Sequence, residues 1–221
     1  EADIDYLIKH NEIIEMIVDK AFREMLFKAA DSSYTPEYNG LQLINRGVVI
    51  SYLQKLLKID RYLTPFTILG LEKSVEKFIE VSSAGKTHRI KIFGIIDRLD
   101  KVEDEYGNSH IRVIDYKTGL QARKKIQDIN ELFTGEEILE KHANYYLQAI
   151  LYALIVSHDA HINVDHLPVS PALIFIQQAS TDNYDPTLLL DKCPITKVAD
   201  YETDFQKGLV EILEEIFNPD V

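Results

Sequence analysis

Apolar residues recur at helical spacing near the start of the chain. Ile13, Ile14, Ile17, Ala21 and Met25 form one stripe, so residues 4–30 are predicted to be a helix. Residues 31–40 carry Ser, Thr, Pro, Asn and Gly and read as a loop. A second helix is predicted over about residues 41–60, with Ile44, Val48, Leu53, Leu56 and Leu57 facing inward, and Pro65 then punctuates the chain. From Phe66 the period changes. Residues 66–81 are extended in character and Ser82-Ser83-Ala84-Gly85 is a turn. Residues 88–100 alternate, with Ile90, Ile92 and Ile96 on one face and Phe93, Ile95 and Leu99 on the other. Two apolar faces predict a strand central in its sheet. A polar loop at 101–109 leads to a third strand at 110–117.

Beyond a charged, loop-like stretch, residues 136–157 are apolar over much of a helical surface and predict a buried helix. Residues 168–171, bounded by prolines, interrupt. Residues 172–177 form a short apolar strand, and 200–217 a closing amphipathic helix with Phe205, Leu209, Ile212 and Ile216 on one stripe. The order is helices, three meandering strands, helix, strand, helix. It predicts an α/β fold with a mixed central sheet flanked by helices and an N-terminal helical segment. The expected division is a helical lead-in over residues 1–65 and a core over 66–221.

Composition narrows the picture. A chain of 221 residues, 46% apolar and 27% charged, suits one soluble globular domain or one core with a helical appendage. No apolar run approaches membrane-spanning length, and no membrane partner is expected. The start, Glu1-Ala2-Asp3, has neither Met nor a signal-peptide pattern, which suggests a piece of a longer polypeptide. Cys193 is the single cysteine, so an internal disulfide is impossible and no four-cysteine cluster forms within the chain. A reducing, cytoplasmic setting is compatible. The net charge of −12 argues against a broad electrostatic grip on nucleic acid, unless metal neutralises some carboxylates and a larger parent supplies a basic track.

The candidate chemistry lies in Phe93-Gly94-Ile95-Ile96-Asp97-Arg98-Leu99-Asp100 and Val113-Ile114-Asp115-Tyr116-Lys117-Thr118-Gly119. Strand residues two apart share a face, so Asp115 and Lys117 point the same way. Folding the hairpin brings Asp97 beside Asp115. Two adjacent carboxylates repel, and a divalent cation relieves that repulsion. Hard oxygen donors suit Mg²⁺ or Mn²⁺. Such an ion activates water and polarises a scissile phosphate, while a neighbouring lysine orients the water or stabilises phosphate charge. A same-face salt bridge at a strand end would leave the same three residues, and D-x-K alone does not separate the two readings.

The longer pattern is more specific. G-x-x-D-R-x-D, a short gap, V-x-D-Y-K-T-G and a later Q-x-x-x-Y (Gln148 to Tyr152) resemble the RecB-like branch of the PD-(D/E)XK nuclease superfamily over roughly residues 66–178. The helical start is similar to the lead-in of AddB-type nuclease domains. The resemblance implies a restriction-endonuclease-like fold and divalent-metal-dependent hydrolysis of DNA, exonucleolytic, within a helicase–nuclease or AddB-like repair protein. Its partners would be DNA and a helicase subunit or further domains of the parent. By position, Asp97 and Asp115 would be metal ligands with the Tyr116 backbone carbonyl, and Lys117 the catalytic lysine. Gln148 and Tyr152, four apart on one helix face, would reach the site or the DNA, or else cap the sheet edge. Arg98 and Asp100 would support the hairpin. Glu72 would be site support or a structural carboxylate at a buried edge.

One departure stands out. The early-helix histidine in a G-x-x-x-H-like pattern, a further metal ligand in such nucleases, is absent, and is expected upstream of residue 1. Cys193 alone excludes the iron–sulfur variant of the family within this chain. The remaining histidines, His88, His110, His142, His158, His161 and His166, follow no metal-ligand spacing. A catalytically silent nuclease-like module that binds DNA or protein, and an acidic interaction domain with an accidental D-x-K, are the rival readings.

Overall fold

Asn39 opens the longest helix with a reciprocal cap. Its Oδ1 accepts from the Gln42 backbone N–H, and the Gln42 side chain accepts from the Asn39 N–H, each at 2.9 Å, which satisfies two otherwise orphaned donors. This is a computed structural model, and it describes residues 1–29, 31, 34–83, 85–104, 106–120, 125–134, 141–179 and 184–218. The chain divides into two compact units, one of residues 1–65 with 176–184, the other of 66–175 with 185–221.

The first unit contains helices α1 (Ala2–Lys9), α2 (Asn11–Ala21), a π-turn at Phe22–Leu26 and α3 (Gly40–Leu63). Ile14, Val18 and Ile50 form its small core, with Phe22, Leu53 and Leu57 packed against them. Arg46 joins α3 to α2 through Asp19, with Nε 2.6 Å from Oδ1, and through Glu15 at 3.1 Å.

The second unit is built on a four-stranded sheet in the order β1-β2-β3-β4: β1 (Phe66–Ser83), β2 (Lys86–Glu103), β3 (Ser109–Lys117) and β4 (Val169–Phe175). The first three strands are antiparallel and β4 runs parallel to β3, so the sheet is mixed. Asp104 organises the β2–β3 turn by accepting from the Tyr106 and Asn108 backbone amides. Helix α4 (Ala143–His158) buries most of its length, and α5 (Glu202–Ile216) closes the unit with Phe205 and Leu209 inward. Leu99, Val113, Ile150, Leu154, Leu173 and Phe205 belong to one continuous core. A two-residue pair, β5 (Leu189–Leu190) with β6 (Cys193–Pro194), forms a minor second sheet.

The observed fold departs from the sequence-based expectations at several points. The helix expected over residues 4–30 breaks at His10, whose backbone leaves helical dihedrals while its ring Nδ1 sits 2.8 Å from the Tyr6 carbonyl oxygen. Ile44 and Val48, expected to face inward, are 65% and 43% exposed, whereas Ile50 and Ile59 are buried. Strand β2 is interior, as expected, although Phe93 and Ile95 on one of its faces are 75% and 52% exposed. The turn expected at residues 82–85 is shorter, since β1 continues through Ser83. Pro171 lies inside β4 rather than before it. β4 is the last strand in the sheet order, a position where the missing proline N–H is tolerated. The predicted helix start at residues 136–140 falls outside the described residues.

Candidate active site

Strands β2 and β3 pair from Glu103–Ser109 to Arg98–Ile114. Asp97 and Asp115 follow one step beyond the last pair, where the two strands cease to pair and their side chains lie at the ladder's end. The Asp97 Oδ2 accepts from the Tyr116 backbone N–H at 2.7 Å, which ties one carboxylate to the strand carrying the other. Asp115 Oδ2 lies 2.6 Å from the Lys117 ammonium. Strand β3 is otherwise apolar here, with Val113 and Ile114 fully buried, so this pair occupies a low-dielectric position.

Helix α4 supplies the opposite wall. The Lys117 Nζ donates to Gln148 Oε1 at 3.0 Å, and Gln148 Nε2 makes a long contact of 3.4 Å with the Tyr152 hydroxyl. Tyr152 is buried, and its ring occupies the space above Gly94. A Cβ on Gly94 would come within 2.1 Å of the Tyr152 hydroxyl oxygen. The glycine three residues before Asp97 therefore admits the tyrosine. The Lys117 Nζ also stands 4.4 Å from the centre of the Tyr145 ring. Sequence reasoning missed Tyr145, although it precedes Gln148 by three residues and helical periodicity puts both on one face.

Glu72 is placed differently. It lies in β1 between the Leu71–Arg98 and Lys73–Ile96 pairs, across from Asp97. It is exposed, not at a buried edge, and its φ is +48°, a conformation that costs a non-glycine residue about 1–3 kcal/mol and concentrates at functional sites. Its carboxylate has no hydrogen bond or ion pair among the described residues. The Tyr116 hydroxyl is 3.2 Å from an Arg98 guanidinium nitrogen on the other side of the strand.

The electrostatics of the two carboxylates are unequal. Burial pushes the Asp115 carboxyl above the usual carboxylate range. The Lys117 ammonium opposes the rise and the nearby Asp97 charge adds to it. Despite the short approach of Lys117, the buried Asp115 Oδ2 has no hydrogen bond of acceptable geometry. A buried carboxylate whose partner is a single ammonium, and which feels the charge of a second carboxylate at Asp97, fits a hard divalent cation. Among the described residues no cluster of three or more His, Cys, Asp or Glu side chains is placed to hold one.

The same strands carry a second charged group. Arg98 grips Asp100 in a fork, with Nε–Oδ1 and Nη2–Oδ2 both 2.7 Å, and Arg112 adds a 3.2 Å bond to Oδ2. Asp100 is 0% exposed. The Arg98 guanidinium also lies 4.4 Å from the centre of the Phe66 ring.

This hairpin ends in a paired aspartate and lysine, with a glutamine and a tyrosine of α4 over it. A profile of the PD-(D/E)XK nuclease superfamily matches residues 4–221, and the chain belongs to that superfamily. Its members are generally nucleases that act on DNA and usually use divalent metals. The mixed sheet with flanking helices is the restriction-endonuclease-like arrangement. No curated protein matches the chain at a significant level. No helix among the described residues is long and apolar enough to cross a membrane.

Proposed function

We propose that this chain hydrolyses DNA phosphodiester bonds with Mg²⁺ or Mn²⁺, exonucleolytically, as the nuclease domain of a cytoplasmic helicase–nuclease or AddB-like repair protein. Residues 66–221 would be the nuclease core and 1–65 its lead-in. Asp97, Asp115 and the Tyr116 backbone carbonyl would hold the cation, with Lys117 catalytic and Gln148, Tyr152 and Glu72 in support. The observation that carries this reading is the buried Asp115 carboxylate, which feels the charge of Asp97 and lies 2.6 Å from the Lys117 ammonium.

When bound, the cation supplies Lewis acidity to the phosphate and lowers the pKa of attacking water. The protein's own groups do the rest. The Tyr116 amide fixes the Asp97 carboxylate. Gln148 steers the Lys117 ammonium toward the phosphate, where it offsets the negative charge that builds as the water oxygen bonds to phosphorus and the leaving oxygen departs. Excluding water around Asp115 strengthens both effects. The acidic surface is consistent with DNA being delivered by other parts of a parent protein.

Cleavage of single- and double-stranded DNA by the purified protein with Mg²⁺ or Mn²⁺ tests the proposal. Lys117→Ala is expected to lower the rate by roughly 10²–10³-fold, the scale for removing one preorganised charge-stabilising donor. Equal cleavage by both proteins would exclude the centre. A second reading, a silent nuclease-like module that binds without cutting, draws on the lack, among the described residues, of a cluster of three or more metal-ligating side chains. Calorimetry with Mn²⁺ separates the two: no binding by wild type, and no change on Asp115→Ala, would favour the silent module.

A further inference from the structure

We propose that Tyr145 is a positioning residue for Lys117, holding its ammonium by the face of the phenol ring. The inference rests on the reading of Lys117 as the catalytic lysine. Three groups surround that ammonium: the Asp115 carboxylate at 2.6 Å, Gln148 Oε1 at 3.0 Å and the Tyr145 ring centre at 4.4 Å. They are not equivalent. A hard divalent cation takes oxygen ligands, so any such ion drawn to the site would share or claim the Asp115 carboxylate. The ammonium would then keep Gln148, which is neutral, and the ring, whose negative face attracts cations but offers no oxygen ligand there. Tyr145 is thus the partner that the proposed metal does not contest.

The ring is itself held in place. It packs at 6.3 Å against Phe175, the residue paired with Lys117 across β3 and β4. It also stacks on His142, with ring centres 5.0 Å apart and planes 15° from parallel. His142 has φ +53°, an uncommon conformation for a non-glycine residue, and its carbonyl oxygen accepts from the Tyr145 backbone N–H at 2.9 Å. Tyr145, Gln148 and Tyr152 fall at i, i+3 and i+7, one stripe of α4 facing the strand ends. The stripe thus gives Lys117 an aromatic contact at Tyr145 and a hydrogen bond at Gln148.

Two measurements test this. In metal-free protein, the ring should displace the Lys117 ε-methylene resonances upfield of those of exposed lysines. Tyr145→Phe should preserve the displacement and Tyr145→Leu should abolish it. In cleavage assays Tyr145→Leu should lower kcat about tenfold with KM unchanged, while Tyr145→Phe stays within about twofold of wild type. Wild-type Lys117 resonances at exposed-lysine positions would overturn the proposal, even if Tyr145→Leu does not fold. So would a folded Tyr145→Leu with wild-type kcat, or a Tyr145→Phe as impaired as Tyr145→Leu. Lys117→Ala, run alongside, keeps the two ideas apart. If it cleaves normally, the nuclease reading fails. If it is inactive while Tyr145→Leu is not, only the role of Tyr145 fails.

Discussion

Strands β2 and β3 carry two clusters of charge within a few residues of each other, and their carboxylates are bonded to different extents. At Asp100 every carboxylate oxygen is taken. Arg98 binds both in a fork, Arg112 adds a third bond, and no part of the aspartate is exposed. At Asp115 a buried carboxylate has one short ionic approach, 2.6 Å from Oδ2 to the Lys117 ammonium. Buried charge is tolerated when it is paired and fully hydrogen-bonded, and is costly otherwise. The Asp100 cluster therefore behaves as structure. The Asp115 carboxylate, with the Lys117 ammonium as its partner, is the less fully bonded of the two, although Arg112 Nε beside Asp100 also lacks a hydrogen bond.

Mutating each aspartate breaks the comparison most sharply. Asp100→Ala leaves Arg98 buried without its counter-charge, and should cost about 3–5 kcal/mol of folding stability. Urea denaturation measures it. Asp115→Ala leaves Lys117 with Gln148 and Tyr145, so its cost in stability should be much smaller while cleavage disappears. If Asp115→Ala unfolds the protein as readily as Asp100→Ala, the distinction between the clusters is wrong.

Next in size is Gly94→Ala. A Cβ there would lie 2.1 Å from the Tyr152 hydroxyl oxygen and 2.5 Å from the ring carbons beside it, so the tyrosine or the strand must move. Overpacking of this kind costs roughly 1–3 kcal/mol. Because Tyr152 contacts Gln148, and Gln148 contacts Lys117, cleavage should fall as well. Double substitution with Tyr152→Phe removes only the hydroxyl and should recover part of the stability. No recovery would mean that the strand, and not the tyrosine, takes up the strain.

The hairpin was legible because its signals are local. Residues 88–100 alternate with period two, Tyr106-Gly107-Asn108 marks the loop, and Asp115 and Lys117 are two apart on one strand. The side-chain contacts of the N-terminal helices were not. A stripe such as Ile44–Val48 shows that a helix has an apolar face, but not which of its residues a neighbour covers. Here Ile50, two positions beyond Val48, meets α2. Exposure of Phe93 and Ile95 was hidden for the same reason. An apolar residue on a strand predicts burial only if another layer covers that face. Tyr145 was missed because its contact with Lys117 depends on how α4 sits over β3, a tertiary fact. The fork on Asp100 was half visible. Arg98 and Asp100 share a face by spacing, but Arg112 joins them only through the β2–β3 register.

The smallest expected effect concerns the sign of the Asp115 contribution. Burial raises its carboxyl pKa in the folded protein, against the attraction of Lys117. The unfolded chain, with an ordinary carboxyl near 3.8, therefore releases its proton first as pH rises. Stability from this group is fully present below the unfolded value and is lost as pH climbs through the raised, folded one. At neutral pH the charged Asp115 burdens the metal-free fold. Asp115→Asn, of similar shape and fixed neutrality, should accordingly melt at a higher temperature than wild type at pH 7, and the gap should close as pH falls below about 3.8. Thermal melts with a chelator present measure this directly. An Asn variant less stable than wild type at pH 7 would mean that the Lys117 pair repays its burial, and Asp115 would then belong with Asp100 among the satisfied charges.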